Sequence, residues 1–240
     1  MLVVYMSLMM NINAEFDQRV VVHSASTSWI DSPMRGVTRR PLDRVGNEVA
    51  RATSIVRYEP GSQFSPHVHT GGEEFFVLEG VFQDEHGDFP VGSYIRNPPQ
   101  SSHTPSSDQG CIFFLKLWQF YPDDRIHVRL NANFMQSVPH RYLTNVAVTP
   151  LYKDEFEEVE IQDWSANTNI VIDASEGVEL LVLSGEFSES GDVLVKQSWM
   201  RLPTGSTLNA TTGGAGAKVW VKRHNLVYVD DQIKILAADV

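Results

Sequence analysis

His67-Val68-His69, followed three residues later by Glu73, sets two imidazoles and a carboxylate close together in the chain. In an extended strand residues i and i+2 face the same side, so both rings point one way. The turn-forming Thr70-Gly71-Gly72 then lets the chain double back and bring the carboxylate to the same point. Nitrogen and oxygen donors of this kind suit a divalent transition metal, and Fe, Mn, Ni, Cu and Zn are all compatible with them. A lone His-x-His would carry little weight, because strand histidines and solvated turn carboxylates are common. The combination is what points to metal chemistry.

A second segment runs from Gly92 across five residues to Pro98-Pro99-Gln100-Ser101-Ser102-His103. Together the two segments resemble the cupin family, whose motifs read G-x5-H-x-H-x3/4-E-x6-G and G-x5-P-x-G-x2-H-x3-N. By that resemblance His67, His69, Glu73 and His103 are the ligands of one divalent transition metal. The chain departs from the pattern at Gln100, where the family has Gly, and at Ser107, where it has Asn; both positions bear on loop shape. The wording from Pro66 to Phe82 and from Gly92 to Pro99 is closer still to the ChrR-type cupin, the C-terminal metal-binding domain of the ChrR anti-sigma factors, over about residues 50–118. That resemblance implies zinc, with Fe, Mn or Ni as the other candidates. In ChrR proteins a separate N-terminal helical zinc domain with a His and a Cys-x-x-Cys pair grips the sigma factor. Here the residues ahead of the first motif lack helical periodicity and the one cysteine is Cys111, so a sigma factor is not an expected partner by that mode.

The elements that must hold these residues are short β-branched and aromatic runs between Gly, Pro, Asn and Asp: Thr53 to Tyr58, Glu74 to Leu78, Ser93 to Arg96, Ile112 to Trp118, Leu180 to Leu183 and Lys218 to Lys222. Such spacing reads as an all-β barrel or sandwich, with no capped helical period. The chain also matches itself. Gly72-Glu73-Glu74-Phe75-Phe76-Val77-Leu78-Glu79-Gly80 corresponds to Gly177-Val178-Glu179-Leu180-Leu181-Val182-Leu183-Ser184-Gly185, 105 residues later, and Ser93 to Pro98 corresponds to Ser198 to Pro203 at the same spacing. Gly110 to Lys116 matches Gly216 to Lys222 with one residue of drift. Repeats of this kind are read before anything else. They give two copies of one β-unit, and the cupin resemblance implies that these are two tandem cupin (double-stranded β-helix, jelly-roll) barrels: a tail over 1–19, a metal-binding cupin over 20–125, a linker over 126–139, a second, degenerate cupin over 140–229 and a tail over 230–240. At the repeat spacing His67, His69, Glu73 and His103 fall on Ile172, Ala174, Val178 and Leu208. The second barrel is therefore expected to fold without metal, its former site filled by side chains. The remaining histidines, His23, His86, His127, His140 and His224, lack ligand spacing to one another and are left outside the site.

The formal net charge of −11 leaves no basic stripe to neutralise phosphates, which argues against nucleic acid and against anionic membranes. Cys111 sits in the apolar run Cys111 to Leu115, reads as a packing residue, and suits a reducing cytoplasm. The apolar stretch Met1 to Met10 is too short to span a bilayer, lacks the positive start of a signal peptide, and is given no function. Phe75 and Val77 share the strand face of Glu73 and are expected to line an apolar pocket in the first barrel for a small organic ligand. A homo-oligomer is also expected. Two functions remain open. One is a sensing or regulatory binding module, in which four protein ligands fill a tetrahedral zinc. The other is a metal-dependent dioxygenase cleaving small diketones or hydroxy-aryl ketones, with open positions on an octahedral metal; its catalytic residues are unknown.

Overall fold

The computed structural model describes residues 11–47 and 49–239; the Met1 to Met10 stretch, and with it most of the tail assigned to 1–19, lies outside the described residues. Strands dominate, and they form two barrels. The first is built on a sheet running in the order Val128–Asn131, Ser93–Asn97, Glu73–Asp84, Cys111–Leu117, Ala50–Tyr58, Val37–Gly46 and Ile30–Asp31, faced by the small pairing of Ser101–His103 with His67–His69. The second repeats the plan with Ser198–Leu202, Val178–Glu189, Ser206–Arg223, Glu158–Trp164 and Val146–Lys153.

Alternation along these strands produces three cores rather than two. Phe75, Val77, Phe82, Phe113 and Val56 fill the first barrel, and Ile170, Val178, Leu180, Phe187 and Val219 fill the second. The opposite faces of the same strands, carrying Leu42, Ile55, Phe76, Phe114, Leu181, Trp199 and Trp220, pack together between the barrels. This explains why the runs Phe75 to Leu78 and Leu180 to Leu183 are apolar at consecutive positions: both faces are buried.

The twelve-residue strands Glu73–Asp84 and Val178–Glu189 each contain a bulge, at Leu78 and Leu183, where two residues oppose one on the neighbouring strand. The bulge reverses the inward–outward parity of everything after it. Beyond it Gly80 adopts φ 71°, and a Cβ there would meet the Gly110 carbonyl oxygen at 2.0 Å; Gly185 (φ 70°) and the Gly216 oxygen (2.1 Å) repeat the arrangement. Only glycine fits both the left-handed backbone and the close approach.

Two boundaries differ from the sequence reading. Val20–His23, counted with the first unit, pairs with Ser198–Arg201 of the second barrel, and Val128–Asn131, counted as linker, pairs with Ser93–Arg96 of the first. Each half thus lends its leading strand to the other. The segment assigned as a C-terminal tail is a helix, Val229–Asp239, with Asp230 and Asp231 in its first turn and Leu236 buried. Negative charge at a helix N-terminus favours that end. The helix lies against Ala50–Tyr58, where Gln232 accepts a hydrogen bond from Arg51. No helix among the described residues is long and apolar enough to cross a membrane.

Candidate metal centre

The antiparallel pairing of His67–His69 with Ser101–His103 sets His67 directly opposite His103 and His69 opposite Ser101. The rings of His67, His69 and His103 meet edge to face with centroids 4.7–5.0 Å apart. One nitrogen from each lies within 4.8 Å of the others, so these three residues could hold a metal ion. Glu73 opens the next strand, after Gly72 has turned the chain at φ 80°. Its Oε2 stands 3.4 Å from His69 Nε2 and 3.5 Å from His103 Nε2. His69, Glu73 and His103 are buried, and His67 is half-buried at the rim. His69 Nε2 is shielded from solvent and has no hydrogen-bond partner among the described residues. A buried polar atom left without a partner calls for an explanation, and a nitrogen standing close to two other imidazoles and 3.4 Å from the Glu73 carboxylate fits a metal ligand.

Two further side chains position this set. Asp84, its side chain 1% exposed, accepts from His103 Nδ1 at 3.2 Å, leaving Nε2 to face Glu73. Burial alone would lower the His103 pKa, but the Asp84 hydrogen bond and the Glu73 charge raise it. For His69 burial prevails and the pKa falls, favouring the neutral, metal-binding ring. Asn97, opposite Glu73 in the ladder, donates from Nδ2 to Glu73 Oε2 at 3.3 Å. Neither Asp84 nor Asn97 is among the residues that sequence reading assigned to the site. Strict alternation from Glu73 turns Asp84 outward, and only the Leu78 bulge turns it in beside Phe82.

The departures from the family pattern keep the loop shape. Gln100 adopts φ 70°, the left-handed conformation that Gly205 takes in the second barrel (φ 79°), and its N–H donates to the His69 carbonyl. Ser107 Oγ donates to the Val81 carbonyl at 2.6 Å.

Phe75 and Val77 share the inward face with Glu73 and are buried in the barrel core. Phe75 packs on Phe82 and Phe113 with centroids 4.5 and 5.4 Å apart, and Phe82 stacks under the His103 ring at 5.8 Å. The barrel floor is a filled aromatic core. In the second barrel Ile172 lies opposite Leu208 in the register that joins His67 to His103, and Ile172, Ala174, Val178 and Leu208 are all buried in its core. Of the other histidines, His23 meets Ser198, His224 meets Glu176 and His140 accepts from the Tyr142 and Leu143 N–H groups. Cys111 is a free, buried cysteine whose thiol is pushed up to about 11 by burial.

Residues 17–121 match the family model of the ChrR cupin-like domain. No curated protein matches the chain in sequence. Among solved structures, it is similar to a candidate dioxygenase from Nostoc punctiforme (17% identity, 88% of this chain and 84% of that one, TM-score 0.70). It is also similar to the Escherichia coli pirin YhhW in complex with nickel(II) (12% identity, 85% and 98%, TM-score 0.56) and to a cupin 2 conserved barrel domain protein from Leptotrichia buccalis (11% identity, 81% and 91%, TM-score 0.53). At these identities the likeness speaks for the fold alone.

Proposed function

We propose that the first half of the chain, where residues 17–121 match the family model of the ChrR cupin-like domain, binds one divalent transition metal through His67, His69, Glu73 and His103 and works as a small-molecule or redox sensing module. The observation that carries this reading is the clustering of three imidazole nitrogens within 4.8 Å of one another, with the Glu73 carboxylate 3.4 and 3.5 Å from two of them and His69 Nε2 without a hydrogen-bond partner among the described residues. Zinc is the metal that the ChrR-type resemblance favours. Bound there, it would supply a fixed positive charge to which the surrounding side chains and an incoming ligand respond.

The second reading, a dioxygenase, draws on the fold-level likeness to the Nostoc protein, and fold alone is a weak guide to activity. Metal analysis of protein expressed with iron and with zinc, followed by O2 uptake against diketones on the iron-loaded form, separates the two. One metal per chain with no O2 uptake supports the sensing module. Turnover with iron would replace it by the oxygenase, and protein that takes up no metal would overturn both.

A further inference from the structure

Opposite residues of an antiparallel pair share a face of the sheet. Arg39 lies opposite Val56, and Arg44, past the bulge near Pro41, lies opposite Ala52. Val56 belongs to the core of the first barrel, so Arg39 is turned into that barrel, whereas its neighbour Arg40, opposite Ile55, faces the core between the barrels and stacks on Trp29, 4.2 Å from the ring centroid. Arg39 is close enough to Glu73 to feel its charge, and Arg44 feels Arg39. Arg44 spends its donors on the Gly46 and Asn47 carbonyls. Arg39 has no such partners: among the described residues it makes no ion pair or side-chain hydrogen bond, and its Nε is shielded from solvent with nothing to donate to.

A guanidinium partly removed from water costs free energy unless an anion answers it. Elsewhere in this chain the fully buried arginines are answered, Arg96 by Asp124 and Glu157 and Arg201 by Asp43, and the half-buried Arg40, whose Nε is also unpartnered, has the Trp29 ring against its guanidinium. Among the described residues, the carboxylate whose charge acts on Arg39 is Glu73, which the proposed function commits to the metal. In a chain of net charge −11, an unanswered inward arginine beside a metal site is a receptor group. The planar fork of a guanidinium matches a carboxylate. We infer that the ligand of this site is a small carboxylate, its anionic end held by Arg39 beside the metal centre. This rests on the metal-binding reading and names the ligand class for it.

The test uses the full chain loaded with Co(II), metal content fixed by elemental analysis before any anion is added, and calorimetric titration with malonate, its neutral isostere malonamide, and inorganic phosphate. Malonate is expected to bind and malonamide not. Arg39→Met should weaken malonate on the order of tenfold to a hundredfold, the usual worth of a charge-assisted hydrogen bond, with metal content unchanged. Arg39→Lys should recover part of the loss, and Arg40→Met should change nothing. Should Arg39→Met fail to fold by circular dichroism, Arg39→Gln serves in its place. Equal malonate affinity in parent and Arg39 variants overturns the inference, as does no malonate binding to fully metallated parent, or equal binding of malonamide. Phosphate bound in preference to malonate overturns the carboxylate class. A parent chain that takes up no metal overturns the underlying metal reading, and this inference with it.

Discussion

At the scale of single residues, the site depends on which nitrogen each imidazole offers. Asp84 holds His103 by Nδ1 and so points Nε2 at Glu73, an arrangement in which a carboxylate fixes ring orientation and raises basicity. Asp84→Asn is expected to lower metal affinity about 10–100-fold, the usual loss for such partners, measured by competition with a chromogenic chelator, while the far-ultraviolet circular dichroism is unchanged. His103→Ala should abolish stoichiometric metal yet leave a folded chain, because the equivalent Leu208 sits in a barrel that packs without any ligand. Unfolding of that variant would instead make the metal a structural staple. His67, His69 and Glu73 were legible from strand periodicity and a turn, and His103 from its motif. Asp84 was not, since its direction is set by a bulge that alternation cannot foresee. Arg39 was equally hidden: nothing in Thr38-Arg39-Arg40-Pro41 tells which arginine turns inward until the register with Val56 is known.

At the scale of elements, the repeat was legible because turn glycines and apolar runs recur at fixed spacing, and the ladder shows its physical basis. Gly80 and Gly185 each let one strand pass within van der Waals reach of the next. Gly80→Ala and Gly185→Ala are expected to lower the melting temperature by similar amounts, since each forces a side chain into left-handed backbone at about 1–2 kcal/mol and meets a carbonyl besides. A marked difference between them in scanning calorimetry would mean that the two bulges are not equivalent. Equivalence also bears on metal content. Leu208→His should bind no second metal by elemental analysis, because Ile172, Ala174 and Val178 still offer no donor around it. What sequence could not show is which barrel owns an edge strand. Val20–His23 and Val128–Asn131 carry no mark of their partner, and local pattern fixes a strand's faces but not its neighbour. The C-terminal helix was missed for a related reason: eleven residues with one buried leucine make too short an apolar seam to read.

At the scale of the whole molecule, the two barrels are joined by ion pairs that exchange equivalent residues. Glu74 of the first half pairs with Lys222 of the second at 2.6 Å, and Glu179 of the second pairs with Lys116 of the first at 2.6 Å. All four are buried between the barrels, so each charge depends on its partner. Burial works against these carboxylates, yet Lys116 and Arg51 hold Glu179 down to about 2, and Lys222 and Arg96 hold Glu74 below its ordinary range. A carboxylate whose pKa is depressed on folding adds stability above its unfolded value and loses it as pH falls toward the folded value. Thermal stability should therefore drop steeply between about pH 4.5 and 2 for Glu179. Removing one partner is a separate matter from removing both. Lys116→Met leaves Glu179 buried without its ion-pair partner, with an expected loss of about 3–5 kcal/mol, whereas Lys116→Met with Glu179→Leu should regain much of it, because well-packed apolar residues often replace a buried pair at little cost. Denaturant melts of parent, single and double variants at neutral pH and near pH 3 measure both effects. If the double variant is no more stable than the single one, or keeps the parent's full acid sensitivity, the Lys116–Glu179 pair is not what couples the barrels to pH. The dependence would then have to come from the Glu74, Glu157 and Lys222 group on the other side of the same interface.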